Sequence, residues 1–290
     1  MCRLFGLHAG SEAVRATFWL IDAPDSLAEQ SHHNPDGTGI GTFDAACRAV
    51  VDKQPMAAWQ DADFAAGARD LQSRTFLAHV RYASTGACTS TNTHPFTQDD
   101  RLFAHNGAFE GLDLLDARLA ALGVADLVHG DTDSERMFAL ITAEIRHADG
   151  DVRAGIAAAI DWLADNVPVY ALNFVLTTPT DLWALRYPAT NELHLLVCTS
   201  TDDERRLDAR TDRIHARSEE LANRPWIVVA SEPMDSESSW QSISPGNLVH
   251  VDRALNTTSH DIRHSALKFP LTPADLSSKA AASQHPSSPV

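Results

Sequence analysis

The sequence predicts an α+β chain in which sheets carry helices stacked on their outer faces. Three observations predict it. The N-terminal third is dominated by short apolar runs separated by turn signals. Two consecutive segments, 132–146 and 152–166, place apolar residues at helical spacing. From 171 to 252 the pattern returns to short strands. Strands, a helix pair and strands again bury their apolar faces by stacking in layers. With 290 residues and 44% hydrophobic side chains, the chain is long enough to bury a sizeable core.

Residues 2–7 are apolar apart from Arg3 and read as a strand, which would fix Cys2 in a sheet. Residues 12–21 read as a short helix or turn. The glycine-dense run Asp36-Gly37-Thr38-Gly39-Ile40-Gly41 permits close backbone approach. Neither a Lys-Ser/Thr pair nor a clear helix follows it, so a tight strand entry is preferred over a phosphate loop. An amphipathic helix is predicted over 61–71 and an alternating strand over 75–82. A short strand over 101–105 is expected to end at Asn106-Gly107. Residues 112–122 read as a helix. The helix over 132–146 has Phe138, Ile141 and Ile145 on one face, with Asp131 or Thr132 as N-cap. The next, 152–166, has Ile156, Ile160 and Leu163. Strands are predicted over 171–177, 181–186, 192–199, 226–230 and 247–252. No composition break marks a linker, so 2–265 is read as one domain. The Ser-, Ala- and Pro-rich stretch 271–290 reads as a disordered tail.

Charge and cysteine usage exclude several classes. Against 39 Asp+Glu stand 23 Lys+Arg, a net charge of −16. This argues against nucleic acid or an anionic membrane as partner. The cysteines, at 2, 47, 88 and 198, form no CxxC pair, so neither a zinc ribbon nor a disulfide framework is suggested. The first twenty residues contain Arg3, His8, Glu12 and Arg15 and no apolar run of signal-peptide length. A reduced, cytoplasmic setting is expected, with no cofactor and no metal.

Cys2 is the most informative residue. If Met1 is removed, one residue carries both a thiol and a free α-amine. That amine has a pKa of about 7.7–8.0, so it can take the thiol proton directly or through a water. Taken alone, Cys2 reads more readily as an accident of the translation start than as a nucleophile. Its company changes the weighing. Polar residues that strand packing does not need recur in His79-Val80-Arg81-Tyr82, Asn92-Thr93-His94-Pro95-Phe96, His105-Asn106-Gly107 and Gly130-Asp131-Thr132-Asp133-Ser134-Glu135. Thiolate hydrolysis of a glutamine side-chain amide requires two oxyanion donors, a cation for the α-carboxylate and an anion for the α-ammonium. Asn106 and Gly107 offer a carboxamide and a backbone N–H side by side. Arg81 offers a fork matched to a carboxylate. Asp133, in the first turn of a helix, can hold an ammonium.

Together these segments resemble the class II glutamine amidotransferase domain of the N-terminal-nucleophile hydrolases. Five motifs stand in that family's order, and the resemblance covers roughly residues 2–252. It is nearest the stand-alone type, similar to γ-glutamyl hydrolases of the ergothioneine pathway. Ala230-Ser231-Glu232-Pro233-Met234, Trp240 and Pro245-Gly246-Asn247-Leu248-Val249 add to that likeness. The resemblance implies a four-layer αββα sandwich of two mostly antiparallel sheets flanked by helices. It implies Cys2 as nucleophile with its own α-amine as base, and an oxyanion hole of Asn106 and Gly107. It implies Arg81 and Asp133 as the clamp on the glutamyl group. Tyr82, His94 and His105 are read as shaping the site. The chain departs from synthetase-linked members at Tyr82 and Ser84-Thr85, where they carry Trp and Thr-His. It departs from stand-alone relatives at Thr38, where they carry Trp. These differences bear on the leaving group more than on the chemistry.

Plainer readings stand beside these. Arg81 could form a strand-surface salt bridge, Asn106-Gly107 is an ordinary turn pair, and Asp133 suits a helix dipole. His79, His94 and His105 are read as structural, donating hydrogen bonds that orient loops, because no HxxxH or carboxylate-rich pattern supports a metal triad. Cys47, Cys88 and Cys198 are read as packing residues. The expected activity is cleavage of a γ-glutamyl C–N bond through a thioester, on glutamine or a γ-glutamyl amide. The alternatives are a glutaminase passing ammonia to a separate synthetase and a non-catalytic binding protein on the same scaffold.

Overall fold

The computed structural model describes residues 2–198, 208–210, 215–217, 221, 224–235, 239–263 and 265–284. Two antiparallel sheets face each other. The seven-stranded sheet is built from β1 (Arg3–His8), β2 (Gly37–Phe43), β3 (Ala49–Gln54), β4 (Thr75–Arg81), β9 (His194–Cys198), β12 (Trp226–Ala230) and β13 (Gln241–Ser242). Its order is β13-β9-β12-β1-β4-β2-β3. The six-stranded sheet contains β5 (Phe96–Gln98), β6 (Arg101–Phe109), β7 (Val169–Thr177), β8 (Leu182–Arg186), β14 (Asn247–Val251) and β15 (Thr257–Asp261). It runs β15-β14-β8-β7-β6-β5. A separate pair, β10 (Asp208–Arg210) and β11 (His215–Arg217), completes the strands among the described residues.

Strand alternation builds the layers. In β1, Leu4 enters the core between the sheets, while Phe5 and Leu7 face outward. In β12, Ile227 and Val229 face inward and Val228 outward. In β6, Leu102 and Ala104 face inward, and Phe103 meets the helices. The outer face of the six-stranded sheet is covered by α3 (Leu112–Ala121), α4 (Asp133–His147) and α5 (Val152–Asn166). The other outer face carries α1 (Leu27–Gln30), α2 (Ala62–Asp70) and a π-helical turn, Phe18–Asp22. The result is the four-layer αββα sandwich.

The helix ends follow their local chemistry. The Thr132 hydroxyl accepts from Glu135 N–H at 3.2 Å, and the Glu135 carboxylate reaches back to Gly130 N–H at 2.6 Å. This resembles a capping box, with the return bond made just upstream of the N-cap. Asp151 caps α5, accepting from Ala154 N–H at 2.9 Å.

Several expectations need correction. The strand expected to stop at Asn106-Gly107 continues to Phe109, and both residues pair with β7. Nothing but glycine fits at 107, because a Cβ there would overlap the Ala171 carbonyl. Over 12–21 there is an isolated bridge at Val14 followed by the π-helical turn. β3, β5 and β15 were not predicted. Residues 271–284, which composition assigns to a disordered tail, are tied down: Leu271 N–H donates to the Val169 carbonyl at 2.8 Å. Leu271 and Leu276 pack on Ala108, Tyr170 and Ala171, and a helix, α6, spans Ser278–Gln284. Two leucines in a small-residue stretch supply the apolar contact that composition hides. Positions 1, 199 and 285–290 lie outside the described residues.

Candidate active site

Pairing of β1 with β4, Arg3 opposite Val80, sets Cys2 beside the residues that follow β4. The half-buried thiol lies against the Tyr82 backbone. Tyr82 N–H donates to Cys2 Sγ at 3.3 Å, and Sγ donates to the Tyr82 carbonyl at 3.4 Å. Burial pushes the thiol pKa up. The Tyr82 N–H bond and the charges of Arg81 and Arg3 oppose that shift. The thiol therefore needs a base to become a nucleophile.

Arg81 ends β4 and is buried. Its guanidinium donates to the Thr85 carbonyl at 2.6 Å and the Ala87 carbonyl at 3.1 Å. The surface salt-bridge reading is thereby excluded. Two of its five N–H groups hold the 85–87 loop, leaving the rest of the fork for a ligand. Asp133 opens α4 and is also buried. Its carboxylate accepts from Ser134 N–H at 2.8 Å, Phe109 N–H at 3.3 Å and the Thr85 hydroxyl at 3.5 Å. It therefore serves the helix start and faces the pocket.

Three histidines behave differently. His105 Nε2 donates to the Ala171 carbonyl at 3.2 Å, since a carbonyl only accepts. Neutral Nδ1 then accepts from the Ser134 hydroxyl at 2.9 Å. Burial pushes the His105 pKa down, against the pull of Asp133. His79 and His94 lie with ring centroids 4.2 Å apart, and among the described residues none of their four ring nitrogens has a partner in good hydrogen-bond geometry. Burial drives the His79 pKa down to about 3 and that of His94 well below the ordinary value. The expectation that all three orient loops by hydrogen bonding is therefore not met: His79 and His94 show no such bond, and His105 bonds a strand carbonyl and a helix hydroxyl. Among the described residues, no group of three or more His, Cys, Asp or Glu could hold a metal ion.

Cys2, Arg81, Tyr82, His94, His105, Gly107 and Asp133 line one small pocket, together with Ser84, Thr85, Thr132 and Ser134. Asn106 does not line it. Its side chain points into the layer between the sheets, where Nδ2 donates to Ser231 Oγ at 3.4 Å. Sequence reasoning missed Thr85 and Ser134, whose small polar side chains carry no distinctive signal. It also missed Lys53, whose ammonium donates to the Thr93 carbonyl at 2.7 Å and the Pro95 carbonyl at 3.2 Å. Gly39 belongs to this support, because a Cβ there would overlap the His94 carbonyl. The glycine-dense run 37–41 thus lies in β2 beside β4 and is not a phosphate loop. A thiol, a buried fork cation and a buried carboxylate around one small pocket suit a compact zwitterion presenting an electrophilic carbon.

The family model for class-II glutamine amidotransferases matches residues 1–271. The chain is 30% identical to the gamma-glutamyl-hercynylcysteine sulfoxide hydrolase of Mycobacterium tuberculosis, over 87% of this chain and 93% of that one. Its fold is similar to a glutamine aminotransferase class-II domain protein from Silicibacter pomeroyi. That match has a TM-score of 0.61 at 21% identity and covers 91% of this chain and 100% of the other. Glutamine phosphoribosylpyrophosphate amidotransferase from Bacillus subtilis shares the fold with a TM-score of 0.61 at 18% identity. It matches 91% of this chain and 50% of its own longer one. No helix among the described residues is long and apolar enough to cross a membrane. The chain belongs to the class-II glutamine amidotransferase family.

Proposed function

We propose that this chain is a γ-glutamyl amidohydrolase that works through a thioester on Cys2. After loss of Met1, the Cys2 α-amine takes the thiol proton. The thiolate attacks the γ-carbonyl carbon, and the carbonyl electron pair moves onto oxygen. Gly107 N–H and the Asn106 carboxamide stabilise that oxyanion. As the oxyanion collapses, the C–N bond breaks and the α-ammonium of Cys2 returns its proton to the leaving nitrogen. Water then attacks the thioester, releasing glutamate and restoring the thiol. Arg81 grips the substrate α-carboxylate and Asp133 its α-ammonium. A reduced, cytoplasmic compartment suits a nucleophile that must stay a free thiol.

The observation that carries this reading is the meeting of Cys2, Arg81 and Asp133 around one pocket. Arg81 bonds two carbonyls there and Asp133 accepts from an N–H of its own helix, so both charges remain for a zwitterion. A non-catalytic scaffold would not need this set. The 30% identity to a stand-alone hydrolase along nearly its whole length favours an amine leaving group over ammonia delivery. Steady-state turnover of glutamine against a panel of γ-glutamyl amides tests this. Faster turnover of a γ-glutamyl amide than of glutamine supports the hydrolase. Preference for glutamine, with ammonia passed to a synthetase, overturns it in favour of a glutaminase subunit. No turnover of either overturns both.

A further inference from the structure

Asn106 and Cys2 belong to different sheets. Cys2 leads into β1 of the seven-stranded sheet, and Asn106 lies within β6 of the six-stranded one. In the proposed reaction both must meet one carbonyl group, Cys2 at its carbon and Asn106 at its oxygen, so something must register them across the inter-sheet layer. Ser231, immediately after β12, stands at that junction and is buried. Its Oγ accepts from Leu4 N–H at 2.9 Å, while its own N–H donates to the Leu4 carbonyl at 3.1 Å. These two bonds fasten Ser231 to the strand that carries the nucleophile, two residues from Cys2. The same Oγ accepts from Asn106 Nδ2 at 3.4 Å.

We propose that Ser231 is the positioning residue of the oxyanion hole, tying the Asn106 carboxamide to the nucleophile strand through its hydroxyl oxygen. The proposal rests on the γ-glutamyl reading above. A carboxamide nitrogen carries two hydrogens. One directed at Ser231 fixes the amide plane and leaves the other for the oxyanion. The bond is long, as hydrogen bonds at unliganded catalytic sites often are before they tighten on substrate. A hydroxyl oxygen offers two acceptor sites, and both are used here, so alanine at 231 would release Asn106 and leave Leu4 N–H without its acceptor. Glu232, the next residue, bonds Arg3 Nε at 2.7 Å and secures the same strand by a separate contact.

The test is a double-mutant cycle with substrate kinetics. Removing an oxyanion donor outright typically costs about 10²–10³ in turnover, and loosening its tether should cost about tenfold, in kcat with KM unchanged. Ser231→Thr keeps the oxygen and should restore most of the turnover. Ser231→Cys fills similar volume with a weak acceptor and should behave like Ser231→Ala, which guards against a folding defect in either. In an Asn106→Ala background, Ser231→Ala should cost less than about twofold, since the group it positions is gone. Equal losses in both backgrounds, or an unchanged kcat in Ser231→Ala, would overturn the proposal. Crystal structures of wild type and Ser231→Ala report the Asn106 rotamer without any substrate. A carboxamide that stays in place without Ser231 Oγ also overturns it. Failure of wild type to hydrolyse any γ-glutamyl amide instead overturns the activity on which it rests.

Discussion

Asp133→Asn separates the proposed glutamyl clamp from helix capping. The carboxylate accepts from Ser134 N–H and the Thr85 hydroxyl on one oxygen and from Phe109 N–H on the other. An Asn that keeps its oxygen toward Ser134 turns its NH₂ toward Phe109 N–H, donor against donor. That buried conflict costs about 1–3 kcal/mol of stability, and whatever it does to turnover it does to every substrate alike. Loss of the negative charge acts selectively. A hydrogen bond to a charged group contributes about 1.5–3 kcal/mol, so a substrate with a free α-ammonium should lose a further factor of roughly 10–150 in kcat/KM. A substrate whose α-nitrogen is acylated has no ammonium to pair and should lose only the common factor. The assay is kcat/KM for both substrates in wild type and Asp133→Asn, with thermal melts of both proteins. If the two substrates lose the same factor, Asp133 is a helix-start residue only and the clamp argument is refuted.

Three further outcomes are expected. Intact mass spectrometry should show active protein beginning at Cys2, with a diazo-ketone glutamine analogue adding one equivalent there; full activity with Met1 retained, or labelling at Cys47, Cys88 or Cys198, contradicts the mechanism. Gly107→Ala drives a Cβ into the Ala171 carbonyl and should destabilise by ~3 kcal/mol or more in urea unfolding; wild-type stability would show that β6 and β7 can part. His79, pushed down to about 3 in the folded state, is neutral there while its unfolded counterpart charges below about pH 6.5. Between those values the unfolded chain binds more protons, so the stability His79 contributes is present above 6.5 and lost as pH falls toward 3. His79→Leu should therefore lose less stability than wild type between pH 7 and 4.5 in urea titrations; parallel losses would show that His79 finds a proton-accepting partner.

What was legible in the sequence was what local chemistry decides. The helices 133–147 and 152–166 were read to within a residue because regular apolar spacing marks both and a capping threonine marks the first. The strands 75–81 and 226–230 are buried along their length; the first was legible by its alternation and the second as a short apolar run. β15 was not legible: it is an exposed edge strand of sequence TTSHD, held by pairing with β14 and not by a pattern of its own. Asn106-Gly107 carried a turn signal that tertiary packing overrides, since the Ala171 carbonyl needs the room glycine leaves. In the site, Cys2, Arg81 and Asp133, singled out by their chemistry and by the family resemblance, come together at one pocket. Thr85, Ser134 and Lys53 were not found, because a threonine, a serine or a lysine becomes informative only when its partner across the fold is known.

The placement of the Asp133 carboxylate depends on an irregularity of the sheet. In the β6–β7 ladder, Ala108 pairs with Ala171 but Phe109 pairs with Val169, so Tyr170 is left without an opposite residue. Such a bulge interrupts ladder bonding and re-aims the strand. It occurs one residue past Gly107, where β6 approaches the start of α4. There Phe109 N–H donates to the Asp133 carboxylate. Asp133 thus gains a backbone donor from a different element, which holds its charge at the pocket in addition to the bond from its own helix. The unpaired Tyr170 is buried and packs with Leu271 and Leu276. The C-terminal segment therefore covers the bulge that anchors the carboxylate. None of its described residues lines the pocket, so its link to the site runs through this packing alone.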